Sequence, residues 1–464
     1  MTVEELQEIL GKADVGEVVK ALQITSYPNL PKWADLVKEY DPLQHQIWNT
    51  TKYPTKLDDN NNDDFKRTAL ALQKLAVNRV SQAMFSTPVQ RIYNYDKGSS
   101  SAQKAVDILE ELYHTQNCID SENIERCKQN NARCQAATVW RVVEKLMIVE
   151  EVESKFKLTH ASYSEMDGYT IHPINDPNGD LLVLSIGYKD LENKEHLMTY
   201  INTETPKVIM FSNLENWEVI PELSKDLMVF PVVYTNIPEP VWGGLAGTNL
   251  VEQLEEMESF QGLYIKRNAL PTFTIDYGKV DPGDTLSPTE ESSSDSRRII
   301  KLAEGGKMTD VTWDGAEKAT SSRYSRIRNA FFEAIQVPDT SFANMISSNT
   351  SAENKELIFA DAKAKARDLG GEWEKLFYEE LTIIIEFAKV MFPKQAKEYE
   401  TISVRSKVKP YSLRTKKDNA EFVAVGSLAM SKATQVSELG VVDDVNAEVE
   451  AIENEASVNT NQLI

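Results

Sequence analysis

Apolar residues recur every three or four positions over long stretches of this chain and every second position over others, and the change of period divides it. Val3–Leu10 and Val15–Ile24 read as short helices. Leu70, Leu72, Leu75, Val77, Val80, Ala83 and Met84 keep helical spacing and stop before Pro88, which predicts one amphipathic helix. Ala102–Tyr113 and Ser121–Glu150 continue the helical pattern. Between Phe156 and Val233 β-branched and aromatic residues alternate with turn signals. Asp176-Pro177-Asn178-Gly179 separates Tyr169–Ile174 from Leu181–Tyr188 as a hairpin, and Lys194–Ile201 and Lys207–Phe211 extend it to a meander of about four or five strands.

Pro238, Pro240, Gly243 and Gly244 end this region, and a long helix over Leu245–Leu270 is expected next. Leu250, Leu254, Met257, Gln261 and Tyr264 form its apolar stripe. Glu252, Glu255, Glu256 and Glu258 occupy its other faces. Lys266 and Arg267 fall in its last turns, where the helix dipole favours cations, and Pro271 stops it. The insert Pro271–Trp313 holds strand candidates at Thr272–Tyr277, Arg297–Leu302 and Thr309–Trp313, with the Ser/Glu-rich run Asp284–Asp295 between the first two. A second helix, Asp314–Val337, has Tyr324, Ile327, Phe331 and Ile335 as its stripe. Arg323 and Arg326 share one of its faces and Arg328 lies off it. Pro338–Ser351 reads as a loop that ends in the uncharged run Ser347, Ser348, Asn349, Thr350 and Ser351. Ala352–Met391 reads as a long helix with a kink at Gly370-Gly371. A strand over Glu400–Val408 and a helical module from Asp418, broken at Glu438-Leu439-Gly440, close the chain.

At 464 residues the chain exceeds what one core organises. Its apolar runs are too short to span a bilayer. Met1–Asp14 carries Glu4, Glu5 and Glu8 where a signal peptide would have a basic start and an apolar middle, so synthesis and assembly in a cytoplasm are expected. The net charge of −22 argues against a tight duplex binder, which gains affinity from Lys and Arg on phosphates. It is compatible with a protein that lets DNA pass without holding it.

No reacting constellation accompanies this layout. Cys118, Cys127 and Cys134 lack paired CxxC spacing and read as thiols rather than zinc ligands. GxxxxGK[ST] and GxSxG are absent, and Gly243-Gly244-Leu245-Ala246-Gly247 reads as a turn leading into a helix. His45, His114, His160, His172 and His196 are scattered outside any metal-binding spacing. With 72 acids in the chain, a carboxylate pair carries no information about glycosidase-type chemistry. No catalytic residue, metal or cofactor is expected. Arg323 and Arg326 are expected to meet the Glu252, Glu255 and Glu256 face of a neighbouring copy, ahead of a solvated face and of DNA contact.

Three regions together resemble the portal proteins of tailed bacteriophages, particularly the siphophage type. Arg67–Pro88, with Asn78-Arg79-Val80 and Phe85-Ser86-Thr87-Pro88, is similar to the family's N-terminal helix and its exit. The helix–insert–helix–loop–helix order of Leu245–Met391 is similar to its stem, clip, second stem helix, tunnel loop and long kinked helix. Gly426–Glu455, with Ser427-Leu428-Ala429-Met430-Ser431-Lys432 and the acidic run after Val442, is similar to its C-terminal pattern.

The resemblance implies a mixed α/β, mainly α fold. Residues 1–244 would be a wing, helical over 1–155 and β-rich over 156–240. Residues 245–270 and 314–337 would be the stem helices, 271–313 the clip and 338–351 the tunnel loop. Residues 352–412 would be the long kinked helix and its return, and 413–464 a helical crown. It further implies a homo-oligomeric ring, usually of twelve subunits, at one capsid vertex of the virion, with double-stranded DNA passing through its channel. Ser347–Ser351 would line that channel, and Glu252, Glu255, Glu256, Lys266, Arg267, Arg323 and Arg326 would sit at the subunit interface or the bore. The implied partners are the large terminase subunit, the major capsid protein and scaffold, and a head-completion adaptor, with no membrane. The alternatives are a capsid or scaffold component without a DNA channel and a carboxylate-dependent hydrolase.

Overall fold

Thr2 and Asp14 open the first two helices by accepting the backbone N–H groups of Glu5 and Gly16, and Glu5 returns a bond to the Thr2 N–H as a capping box. These helices, Val3–Leu10 and Val15–Leu22, follow the predicted bounds closely. Their buried Leu6, Val18, Val19 and Leu22 pack on Ile174, Val183, Leu197 and Phe211 of an antiparallel six-stranded sheet. In the computed structural model, residues 1–27, 33–54, 65–268, 273–276, 307–310, 314–337, 360–409 and 416–440 are described, with short pieces between 442 and 454. They fall into two compact units: residues 1–37, 73–244 and 335–464 in one, residues 38–72 and 245–334 in the other. Segment 38–72 therefore groups with the helix–insert–helix region rather than with its neighbours in sequence.

The first unit is built around its sheets. The predicted hairpin is formed by Thr170–Asn175 and Leu181–Lys189, and the meander continues through Glu195–Ile201, Lys207–Asn213 and Trp217–Val219, with Lys225–Asp226 also on Lys207–Asn213. A second sheet has three strands, with Gln135–Val149 between Val152–Tyr163 and Val232–Asn236. Here the sequence expectation needs correction. The helix expected over Ser121–Glu150 runs only from Ile119 to Arg133. Cys134 then takes a left-handed φ of 66°, and the β-formers Thr138, Val139, Trp140, Val142 and Val143 carry the chain on as a strand.

The other helices of this unit match their patterns. Leu72–Phe85 buries Ala76, Val77, Val80 and Met84, and Ser100–Glu110 passes into a single π turn, Glu111–Thr115. Gln90–Asn94 pairs with Ser403–Lys407, joining positions far apart in sequence. The long helix is described as Ala360–Met391 and stays α-helical through Gly370-Gly371. In the C-terminal module, Ser431 caps Lys432–Leu439 by accepting from the Thr434 N–H, and Gly440 ends it at φ 60°.

A buried ion pair ties four elements together. Glu380, fully buried on the long helix, accepts from Arg126 at 2.5 Å, Tyr113 Oη at 2.5 Å and Trp140 Nε1 at 2.9 Å. Burial alone would raise the pKa of this carboxyl. The Arg126 charge and the hydrogen bonds from Arg126, Tyr113 and Trp140 outweigh it and hold the group below its ordinary value.

Candidate functional site

The helix Gly244–Asn268 lies where the first stem helix is expected, but its buried line differs from the apolar stripe. Thr248, Val251, Leu254, Glu255 and Ser259 are buried, whereas Leu250, Met257 and Gln261 are half-buried. The reason is that residues within 45–53 and 65–70 pack along the helix through polar contacts. Glu255 Oε1 accepts from the Leu70 N–H at 2.6 Å and faces His45 Nδ1 at 2.6 Å. Ser259 Oγ accepts from the Thr68 N–H at 2.9 Å. Glu252 takes Tyr53 Oη at 2.9 Å and an ion pair from Lys52. Ile47, Tyr53 and Phe65 form an apolar cluster with Ala69 and Leu263, and Phe65 meets Phe260 edge to face at 5.1 Å.

Burial would lower the His45 pKa, yet the hydrogen bond and charge of Glu255, with the Glu39 carbonyl at 3.0 Å on Nε2, hold it above its ordinary value. Burial raises Glu39, only partly offset by His45, and Glu252 and Glu255 add to the rise.

These contacts engage two of the expected stem charges within their own chain. Glu255 is 1% exposed and bound within its own chain, and Glu252 is bound to Lys52 and Tyr53. Glu256 is half-buried and Glu258 exposed. The side chains of Lys266 and Arg267 lie outside the described residues.

The second helix is observed as Asp314–Ala334. Ile327, Phe331 and, just past its end, Ile335 are buried as the stripe predicts, and Phe332 joins them beneath the Arg328 guanidinium, 5.7 Å from the ring centroid. Arg323 and Arg326 are exposed. Of the insert, Phe273–Asp276 and Lys307–Asp310 form an antiparallel pair. The candidates Arg297–Leu302 and Asp284–Asp295, and the channel-loop residues Ser347, Ser348, Asn349, Thr350 and Ser351, lie outside the described residues.

Sequence reasoning missed one arrangement that looks chemical. Ser212 Oγ lies 2.6 Å from His196 Nδ1, and His196 Nε2 lies 3.1 Å from Asp190 Oδ2. Ser212 and His196 are direct cross-strand partners, and Asp190 also accepts from the N–H groups of Glu192 and Lys194 in the turn that leads into the His196 strand. Ser212 is fully buried, which denies a substrate carbonyl access to its oxygen. The three residues act as a polar clamp between strands. The two buried thiols are similarly inert: burial pushes both Cys127 and Cys134 up to about 12. Gly243, at φ 86°, turns the chain into the helix that begins at Gly244, as its sequence suggests.

No curated protein matches the chain. Among solved structures it is similar to the neck of a native GTA particle computed with C12 symmetry, at 10% identity and a TM-score of 0.40, over 92% of this chain and 99% of that one. It is also similar to the neck of an empty GTA particle computed with C6 symmetry, at 9% identity and 0.38, over 86% and 94%. A third likeness, to the virion of a native gene transfer agent particle, has 12% identity and a TM-score of 0.33 over 80% and 88%. Overlaps this low carry no argument about assembly. Residues 248–462 match the family model described as phage portal protein, SPP1 Gp6-like, a family of structural, non-enzymatic proteins. The matched span takes in the Gly244–Asn268 helix from Thr248 onward, the insert strands, the second helix, the long helix and the Ser431-capped module. Over residues 248–462, this chain is therefore similar to the SPP1 Gp6-like phage portal proteins.

Proposed function

We propose that twelve copies of this chain close into a ring at one vertex of a capsid and that double-stranded DNA enters and leaves through its central channel. The observation that carries this reading is the order of elements inside the matched span: a long helix, a paired insert, a second helix and a further long helix, the succession expected of first stem helix, clip, second stem helix and long helix. The insert at the hairpin tip is the docking platform for the large terminase subunit, whose ATPase supplies packaging energy. The outer parts meet the major capsid protein, scaffold and head-completion adaptor. Ser347–Ser351 is the channel loop, uncharged and therefore able to lie near a sliding polyanion without strong ion pairs. A ring of chains each carrying −22 repels phosphates overall, which lowers friction on the passing duplex.

Negative-stain electron microscopy with mass measurement of the same sample tests the ring. Closed rings of about twelve copies with a central hole are the expected result for a cyclic, heterologous assembly. A sample of monomers or closed dimers would remove the channel reading.

A further inference from the structure

We propose that the exposed ridge of the Asp314–Ala334 helix, made by Lys318, Ser322, Arg323 and Arg326, contacts the phosphate backbone of duplex DNA; the proposal rests on the channel reading above. The chain is acidic, yet from Lys318 to Phe332 it carries Lys318, Arg323, Arg326 and Arg328 and no carboxylate. The structure sorts these residues. Ile327 and Phe331 face inward and Arg328 is laid over Phe332. Lys318, Ser322, Arg326 and Asn329 step by four, four and three on the opposite side, with Arg323 beyond Arg326 at the margin toward Ile327 and Ser321 and Ser325 on the other flank, and all are exposed.

Such a ridge presents cationic and neutral donors and no carboxylate. Ammonium, guanidinium, hydroxyl and amide groups follow one another over about 16 Å of helix, at 1.5 Å per residue. This is the donor set that proteins place on phosphates, and it carries no base-reading geometry. A neighbouring copy is the competing occupant, since the acidic face of the first helix could in principle receive it. That face is depleted by its own chain: Glu255 is buried against His45 and Leu70, and Glu252 is held by Lys52 and Tyr53, which leaves Glu256 and Glu258. A few cations per copy within a repulsive ring give a contact that guides the duplex and releases it.

The test compares the wild-type chain, the pair Arg323→Gln with Arg326→Gln, and the charge-matched pair Lys12→Gln with Lys20→Gln on exposed positions of the first unit. Each is imaged for rings, and binding of a short blunt fluorescent DNA duplex is followed against salt. If the ridge meets phosphates, the arginine pair lowers the slope of log affinity against log salt by about 2 or more, at roughly 0.9 per phosphate contact, and the lysine pair leaves it near wild type. Equal slopes for both pairs, with rings intact, overturn the ridge and leave the portal reading standing. Rings that form in wild type but fall apart in the arginine pair overturn it in favour of a subunit contact. Absence of rings in the wild type overturns the channel reading and this proposal together.

Discussion

His45 and Glu255, 210 positions apart, meet at 2.6 Å with both side chains almost fully buried. His45 Nε2 faces the Glu39 carbonyl and Nδ1 faces the carboxylate, so both ring nitrogens face acceptors. Glu255 Oε1 already accepts from the Leu70 N–H, which leaves the imidazolium as the form that satisfies the site.

This pair makes the grip of residues 38–54 on the Gly244–Asn268 helix pH-dependent. The His45 pKa is raised in the fold, so its stabilisation is fully present below the ordinary value of 6.5 and is lost as pH rises through the raised value. Glu39, also raised, acts in the same sense, because the folded segment binds more protons than the free one. Hydrogen exchange of residues 38–54, corrected for the intrinsic rate, should show protection falling as pH climbs above 6.5. In His45→Gln that dependence should largely disappear, and the segment should open more readily by roughly 3–5 kcal/mol, the cost of breaking a buried pair. Identical pH profiles for the two proteins would sink the idea.

Glu380 makes the opposite prediction. Its pKa is held below the ordinary 4.5, so its contribution exists above that value and is lost as pH falls through the lowered one. Glu380→Gln leaves Arg126 buried without a counter-charge and should cost roughly 3–5 kcal/mol in urea unfolding. Tyr113→Phe removes one bond to a charged group and should cost roughly 1.5–3 kcal/mol. A Glu380→Gln protein as stable as wild type would mean that the network is hydrated in solution.

These two pairs also explain what the sequence could and could not reveal. Helices with apolar stripes, such as Leu72–Phe85 and Asp314–Ala334, were legible because burial followed hydrophobicity. The Gly244–Asn268 helix was legible as a helix but not in its buried line, because Glu255 and Ser259 are buried by hydrogen bonds to residues from another part of the chain. Ile119–Arg133 likewise buries Asn123, Arg126, Gln129, Asn130 and Asn131, which no hydrophobic period marks. The strand after Cys134 did carry its signal, in Thr138 to Val143, and was hidden only by apolar residues at Val142, Leu146 and Val149 that also fit a helical spacing.

If Ser347–Ser351 serve as the channel loop proposed above, exchange of Ser347, Ser348, Asn349 and Thr350 for alanine should reduce the DNA packaged or retained per particle while rings still form. The measurement is DNA content of particles assembled with the variant. Unchanged content would reassign Ser347–Ser351 to an ordinary surface loop.

Gly187 offers a test of packing in the six-stranded sheet. It lies directly opposite Thr170, and a Cβ built at Gly187 would stand 2.4 Å from Thr170 Oγ1. The next nearest atoms, Leu197 Cδ1 at 3.6 Å and the His196 carbonyl at 3.7 Å, are at ordinary contact distance. Gly187→Ala should therefore destabilise by about 1–3 kcal/mol, the usual cost of overpacking, unless the threonine changes rotamer. Thr170→Ala removes the obstacle. In that background the same change should become neutral or stabilising by up to about 1 kcal/mol, because alanine loses less backbone entropy than glycine in a strand. A double-mutant cycle in urea unfolding reads the coupling directly. If Gly187→Ala costs the same with and without the threonine, the contact with Thr170 is not what keeps glycine there, and the cost lies in the strand backbone itself.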